Sequence, residues 1–115
     1  MMRIPEDFIM SPKLLNNYFE SMINAFFKIL PIREHNDGSL SLYAESLQLE
    51  IKGCQRVISA TGDDPRIMSL ISILQFFIDN PEYPLDKTRR EVFNAINVCK
   101  RLKEKYGKSD QENSN

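Results

Sequence analysis

The chain has 115 residues, 27% of them charged and 42% hydrophobic, with a formal net charge of −1. That length accommodates one domain, and that balance belongs to an ordinary globular protein rather than a disordered or collagen-like one. The longest strongly apolar stretch, residues 67–78, spans about a dozen residues and falls short of the roughly twenty that a membrane-crossing helix needs.

Charge is distributed unevenly. Residues 1–85 hold seven Lys or Arg against eleven Asp or Glu, whereas residues 86–108 hold eight against three. The last helical segment is therefore basic on an acidic body, a pattern that either marks a surface for an anionic partner or offsets a helix dipole. The first ten residues carry Arg3 but no continuous apolar run, and Pro5, Glu6 and Asp7 interrupt them, unlike a secretory signal. They read as an N-terminal arm. Cys54 and Cys99 are far apart in sequence and fall on apolar helix faces, where a thiol behaves as a small hydrophobe. A reduced, cytoplasmic setting is the expectation.

The first helix is predicted over residues 12–30. Ser11 suits the N-cap, Pro12 the first turn, and Met10 with Leu15 a hydrophobic staple. Leu15, Tyr18, Phe19, Met22, Ile23, Phe26, Phe27 and Leu30 then follow the helical spacing without a gap, and Pro31 is expected to end the helix. His35, Asn36, Asp37 and Gly38 read as a turn.

Residues 40–52 admit two readings, because Leu40, Leu42, Leu47, Leu49 and Ile51 alternate as strand residues do. The intervening Ala44, Glu45 and Ser46 supply no hairpin turn chemistry, so a helix over 40–59 is preferred. Its core face would be Leu40, Tyr43, Leu47, Ile51, Cys54 and Ile58, with Gly53 costing about 1 kcal/mol in mid-helix. Thr61 to Pro65 form the clearest boundary, with Gly62 stopping one helix and Asp64 and Pro65 starting the next.

The helix over 65–80 is apolar nearly all round, leaving only Ser69, Ser72 and Gln75 as a polar stripe. Such a helix must be surrounded, by three helices of its own chain or by two and a second copy. Pro81 and Pro84 build an extended connector. The final helix, over 87–106, is predicted from a capping box between Thr88 and Glu91, with Asp86 as a competing cap. Its apolar face is Val92, Ala95, Ile96, Cys99, Leu102 and Tyr106, and Gly107 is placed to stop it. Residues 108–115 have no large apolar side chain and read as a disordered tail.

The predicted architecture is thus all-α, a small four-helix up-down bundle or close variant over residues 11–107. Its size and helical plan are similar to those of small bacteriocin immunity proteins, at the level of architecture alone and with no shared motif; fold by itself does not carry function.

Chemistry is sparse. The one histidine, His35, stands in a predicted turn with no Ser or Cys nucleophile near it in sequence. One His and two dispersed Cys offer no metal-ligand spacing, Asp63 and Asp64 fit helix capping better than ligation, and the four glycines form no phosphate loop. The expectation is a non-enzyme with no cofactor, metal or small-molecule substrate. Two surfaces stand out for a partner. Leu42 and Leu49, near Arg56, fall opposite the core face of the second helix and suit a protein partner or a second copy as a homodimer. Arg90, Asn94, Asn97, Arg101, Lys105 and Lys108 share the outer face of the last helix, where they would suit nucleic-acid phosphates and base edges.

Overall fold

The computed structural model describes residues 11–35, 38–57 and 64–107, and within these it is all helix and turn. The predicted N-terminal arm and tail, the staple residue Met10, and Ile58 to Asp63 lie outside the described residues. Five helical segments build a four-helix bundle: α1 (Pro12–Phe27), α2 (Ile29–His35), α3 (Leu40–Val57), α4 (Pro65–Asp79) and α5 (Leu85–Tyr106). The alternative of short strands over 40–52 is thereby settled in favour of helix.

α1 starts as its sequence dictates, with the Leu14 N–H donating to Ser11 Oγ at 3.1 Å and Pro12 in the first turn. Pro31 does not end it. The helix breaks at Lys28 and resumes as α2, with Pro31 inside the new segment. A proline ring crowds the carbonyl four residues before it, here that of Phe27, and offers no N–H in exchange. The chain relieves that conflict with a one-residue turn and then re-forms the helix, so proline redirects the chain where it was expected to stop it. His35 accordingly ends α2; Asn36 and Asp37 of the predicted turn lie outside the described residues, and Gly38 has a φ of 87°, a left-handed value that glycine adopts without strain.

The start of α5 also departs from expectation. The helix begins at Leu85 rather than residue 87, and its N-cap is Pro84 with no side-chain cap bond. Thr88 lies inside the helix, fully buried, and its hydroxyl donates to the Tyr83 carbonyl at 3.2 Å. No capping box forms, because the extended Tyr83–Pro84 backbone has brought a carbonyl within reach of a hydroxyl that would otherwise be buried unpaired.

α1 packs chiefly on α5, and α3 on α4, while α4 packs on α5 and α2 bridges α3 and α5. Neighbouring helices run antiparallel: Glu20 of α1 meets Lys103 of α5, and Gln55 of α3 meets Met68 of α4. Phe19, Phe26, Ile29, Leu70, Leu74, Phe77, Ile96 and Leu102 fill the centre and are essentially inaccessible. Burying a side chain of this size stabilises the fold by about 1.5–3 kcal/mol each before conformational entropy is counted.

Among the described residues every buried polar side chain has a partner. Gln48 of α3 donates from Nε2 to the Ile71 carbonyl at 3.0 Å and to Gln75 Oε1 at 3.1 Å, clipping α3 to α4. Tyr43 Oη donates to the Ala25 carbonyl at 2.8 Å and clips α3 to α1. These bonds set the rotation of α3, turning its remaining face outward.

Candidate interaction surfaces

With the core of α3 fixed by Leu40, Ala44, Leu47 and Ile51, residues seven apart on its opposite side are left uncovered by the described residues. Leu42 is 69% exposed and Leu49 61%, the two most exposed large hydrophobics among the described residues. Between and beside them stand exposed Glu45, Ser46, Lys52 and Gly53, and nothing lies within 4 Å of where a Gly53 Cβ would sit. Leu42 and Leu49 are thus exposed on the side opposite the core, as their spacing predicts. The side chain of Arg56, the third residue expected there, lies outside the described residues.

The apolar excess of α4 has a different outcome. Ile67, Leu70, Ile71, Leu74 and Phe77 are buried within the chain, and Ile73, Phe76 and Ile78 pack against that core. Phe76 meets Tyr83 of the connector edge-on, with centroids 4.6 Å apart. Only Met68 remains more than half exposed. One chain absorbs this helix, so its greasiness no longer argues for a second copy against α4.

On α5, Arg90, Asn94, Asn97 and Arg101 are exposed on one side, as the spacing predicts, and Lys108 lies outside the described residues. The structure adds a residue that the reading of α5 alone did not supply. Arg66, in the first turn of α4, lines a concavity of about 350 Å³ together with Asn94, Asn97, Val98 and Arg101. Its signal was latent in the topology. Antiparallel helices joined by the short 80–84 connector bring Arg66, fourteen residues before the connector's start, beside Asn94 to Arg101, ten to seventeen residues after its end.

Lys105 is drawn away from this group. Its Nζ is 3.5 Å from Asp64 Oδ2 and 5.2 Å from the centre of the Tyr106 ring. Asp64 caps α4 by accepting from the Arg66 N–H at 2.9 Å, and it accepts from Tyr106 Oη at 2.7 Å. Its side chain is only 1% exposed. Burial works to raise its pKa, but the Tyr106 hydroxyl, the Arg66 N–H and the two cations outweigh it and hold the carboxyl below its usual range. The carboxylate is thus a structural acceptor, and no metal-sized group of three or more His, Cys, Asp or Glu occurs among the described residues.

Other reactive side chains are similarly placed. Cys99 is buried, and desolvation pushes its thiol up to about 12, which removes its nucleophilic form at ordinary pH. Tyr18 is raised by burial first and by its hydrogen bond with Cys54 second. His35 ends α2 at the surface and makes no hydrogen bond or ion pair among the described residues. A second concavity, about 540 Å³ between α1 and α5, has Ile23 and Phe27 on its floor and the 2.6 Å Lys103–Glu20 ion pair across it. No helix of the described residues is long and apolar enough to cross a membrane. No family model, no curated protein and no solved structure matches this chain.

Proposed function

We propose that the chain is a non-enzymatic binding module that works through the outer face of α3, with a second copy of itself as the occupant. The observation that carries this reading is the pair Leu42 and Leu49, bare on a helix whose opposite side is fully committed to the core. Two leucines two turns apart present one apolar ridge, and withdrawing such a ridge from water gives about 1.5–3 kcal/mol per side chain. The charges flanking it favour self-pairing. Glu45 lies towards the N-terminal half of α3 and Lys52 towards the C-terminal half, so an antiparallel pair of α3 helices centred at Leu49 sets Glu45 of one copy near the other's Lys52, packs Leu49 on its counterpart with Leu42 flanking the contact, and opposes the two helix dipoles. Gly53, with open space where a Cβ would be, lets a partner backbone come close.

Sedimentation velocity over a concentration series tests this directly. The expected result is a reversible dimer that a Leu42→Asp, Leu49→Asp double variant converts to a monomer with an unchanged helical spectrum. Charge reversal sharpens it: Glu45→Lys and Lys52→Glu each weaken the dimer, and together they restore it. A wild-type chain that stays monomeric throughout, and that forms no adduct from a photo-crosslinker at Ser46 in cells, overturns both self-pairing and the α3 face as a docking surface.

A further inference from the structure

We infer that the concavity between the start of α4 and the second half of α5 is a binding site for a phosphate group, held by Arg66 and Arg101 with Asn94 and Asn97. The inference stands apart from the α3 face, since it rests on different helices and a different chemistry. Its walls are donors. Two guanidinium groups and two carboxamides line it, Val98 supplies the only apolar wall, and no carboxylate is among the lining residues. A concavity of that composition favours an oxyanion, because guanidinium forks match the paired oxygens of a phosphate and the amide N–H groups add neutral donors.

The arginines are prepared unequally. Arg66 is braced: one terminal nitrogen, Nη1, lies 3.4 Å from Asp64 Oδ1 and 3.5 Å from Oδ2, and that carboxylate is itself fixed by Tyr106. The contact uses one edge of the guanidinium and leaves its other donors unengaged. Arg101, Asn94 and Asn97 are exposed and make no hydrogen bond or ion pair among the described residues, which leaves their donors available to a ligand. Asn97 and Arg101 are one helical turn apart, as are Asn94 and Asn97, which puts all three on one ridge facing Arg66. Asp64 is consumed by capping and by its cation and hydroxyl partners, so it orients the site without neutralising Arg101.

The volume exceeds what a bare phosphate fills, leaving room for a small organic group on one oxygen. A phosphate ester fits that description, whether it comes as a free monoester or as the terminal or backbone phosphate of a nucleic acid strand. The experiment is a titration of the full chain, followed by ¹⁵N NMR of the arginine Nε–H and asparagine side-chain amide signals. The probes are inorganic phosphate, adenosine 5′-monophosphate and a short single-stranded DNA, with chloride and sulfate as controls.

Saturable shifts of the Arg66, Arg101, Asn94 and Asn97 side chains with phosphate probes, and none with chloride, are expected. Arg101→Gln should weaken binding about tenfold or more. Arg101 is exposed and makes no hydrogen bond or ion pair among the described residues, so the variant's melting temperature should match wild type and the loss will not reflect unfolding. Arg66→Gln should weaken binding similarly, and Arg90→Gln, outside the concavity, should not. Tighter binding of adenosine 5′-monophosphate than of DNA identifies a small-molecule site; tighter binding of DNA, with affinity falling steeply as salt rises, identifies a strand. Shifts of equal size with chloride, or binding unchanged in Arg101→Gln, overturn the site.

Discussion

The two ends of the bundle are closed by different chemistry. At the end where α4 starts and α5 stops, a buried carboxylate gathers a backbone N–H, a phenol and two cations: Asp64 with Arg66, Tyr106 and Lys105. At the opposite end the bonds that tie α2 and α5 to the connector are accepted by backbone carbonyls. Arg33 of α2 donates from Nε to the Tyr83 carbonyl at 2.8 Å and from Nη2 to that of Glu82 at 3.3 Å, and Thr88 donates to Tyr83 as well. Carbonyls do not titrate in the accessible range, whereas a carboxylate does. The clamp at one end therefore depends on a titrating acceptor and the connector clamp at the other does not, although both hold the same core.

The harshest way to test that arrangement is to destroy what the ends share. Ile71 is 8% exposed, and its backbone carbonyl receives Gln48. Ile71→Asp places a charge there without a partner and should abolish cooperative unfolding, seen as a loss of the near-ultraviolet signal and of the melting transition. A folded monomer in its place would show that α4, against its observed packing, faces another chain.

Breaking one end alone should cost less. Asp64→Ala removes a helix cap and leaves Tyr106 without its acceptor, so a loss of about 1–3 kcal/mol in denaturant unfolding is expected. Asp64→Asn keeps a capping oxygen and removes the charge, which isolates the pH term. Because the native carboxyl titrates below its unfolded value, its contribution is complete above the usual aspartate range and disappears as pH falls through the depressed value. The gap in melting temperature between wild type and Asp64→Asn should therefore be largest near neutrality and should close on acidification. A gap that stays constant with pH would show that the carboxylate charge contributes nothing to closing that end.

The smallest effect belongs to the carbonyl end. Thr88→Val keeps the volume and deletes one neutral hydrogen bond, leaving the Tyr83 carbonyl with Arg33 still bound to it, so about 1 kcal/mol or less is expected and with no pH dependence. A pH-dependent loss there would erase the distinction between the ends.

These contrasts also mark how far the sequence could be read. Elements whose signal is local were legible: Ser11–Pro12 and Asp64–Pro65 open helices where their capping chemistry says they should, and the α1 stripe points inward at Leu15, Phe19, Met22, Ile23 and Phe26, although Phe27, beside the break at Lys28, is left exposed. The outward leucines of α3 were legible too, since a helix with a committed core face leaves only one place for residues on the other side. Thr88 was misread because a threonine before a glutamate carries the same local pattern whether its hydroxyl caps its own helix or answers a carbonyl of the connector. Pro31 was misread because a proline records only which hydrogen bond is missing, while the packing of Ile29 against the core decides whether the helix resumes. Arg66 was not seen as part of the α5 face because its relation to Arg101 exists only once α4 and α5 lie side by side.

One close approach constrains the chain in another way. Gly107 sits so near α1 that an added Cβ would lie 2.9 Å from Asn16 Cβ and 2.7 Å from the Lys103 carbonyl oxygen. The two extremities of the helical body thus meet, with Ser11 only about 8 Å further along the α1 axis at 1.5 Å per residue. The order in which the helices are threaded is then a matter of history rather than of necessity. A rearranged gene that begins at Ser39, runs through Gly107, crosses a few glycine and serine residues to Ser11 and stops after His35 would encode the same buried surfaces, and the α1–α5 seam would become an internal joint instead of the place where the fold closes on itself.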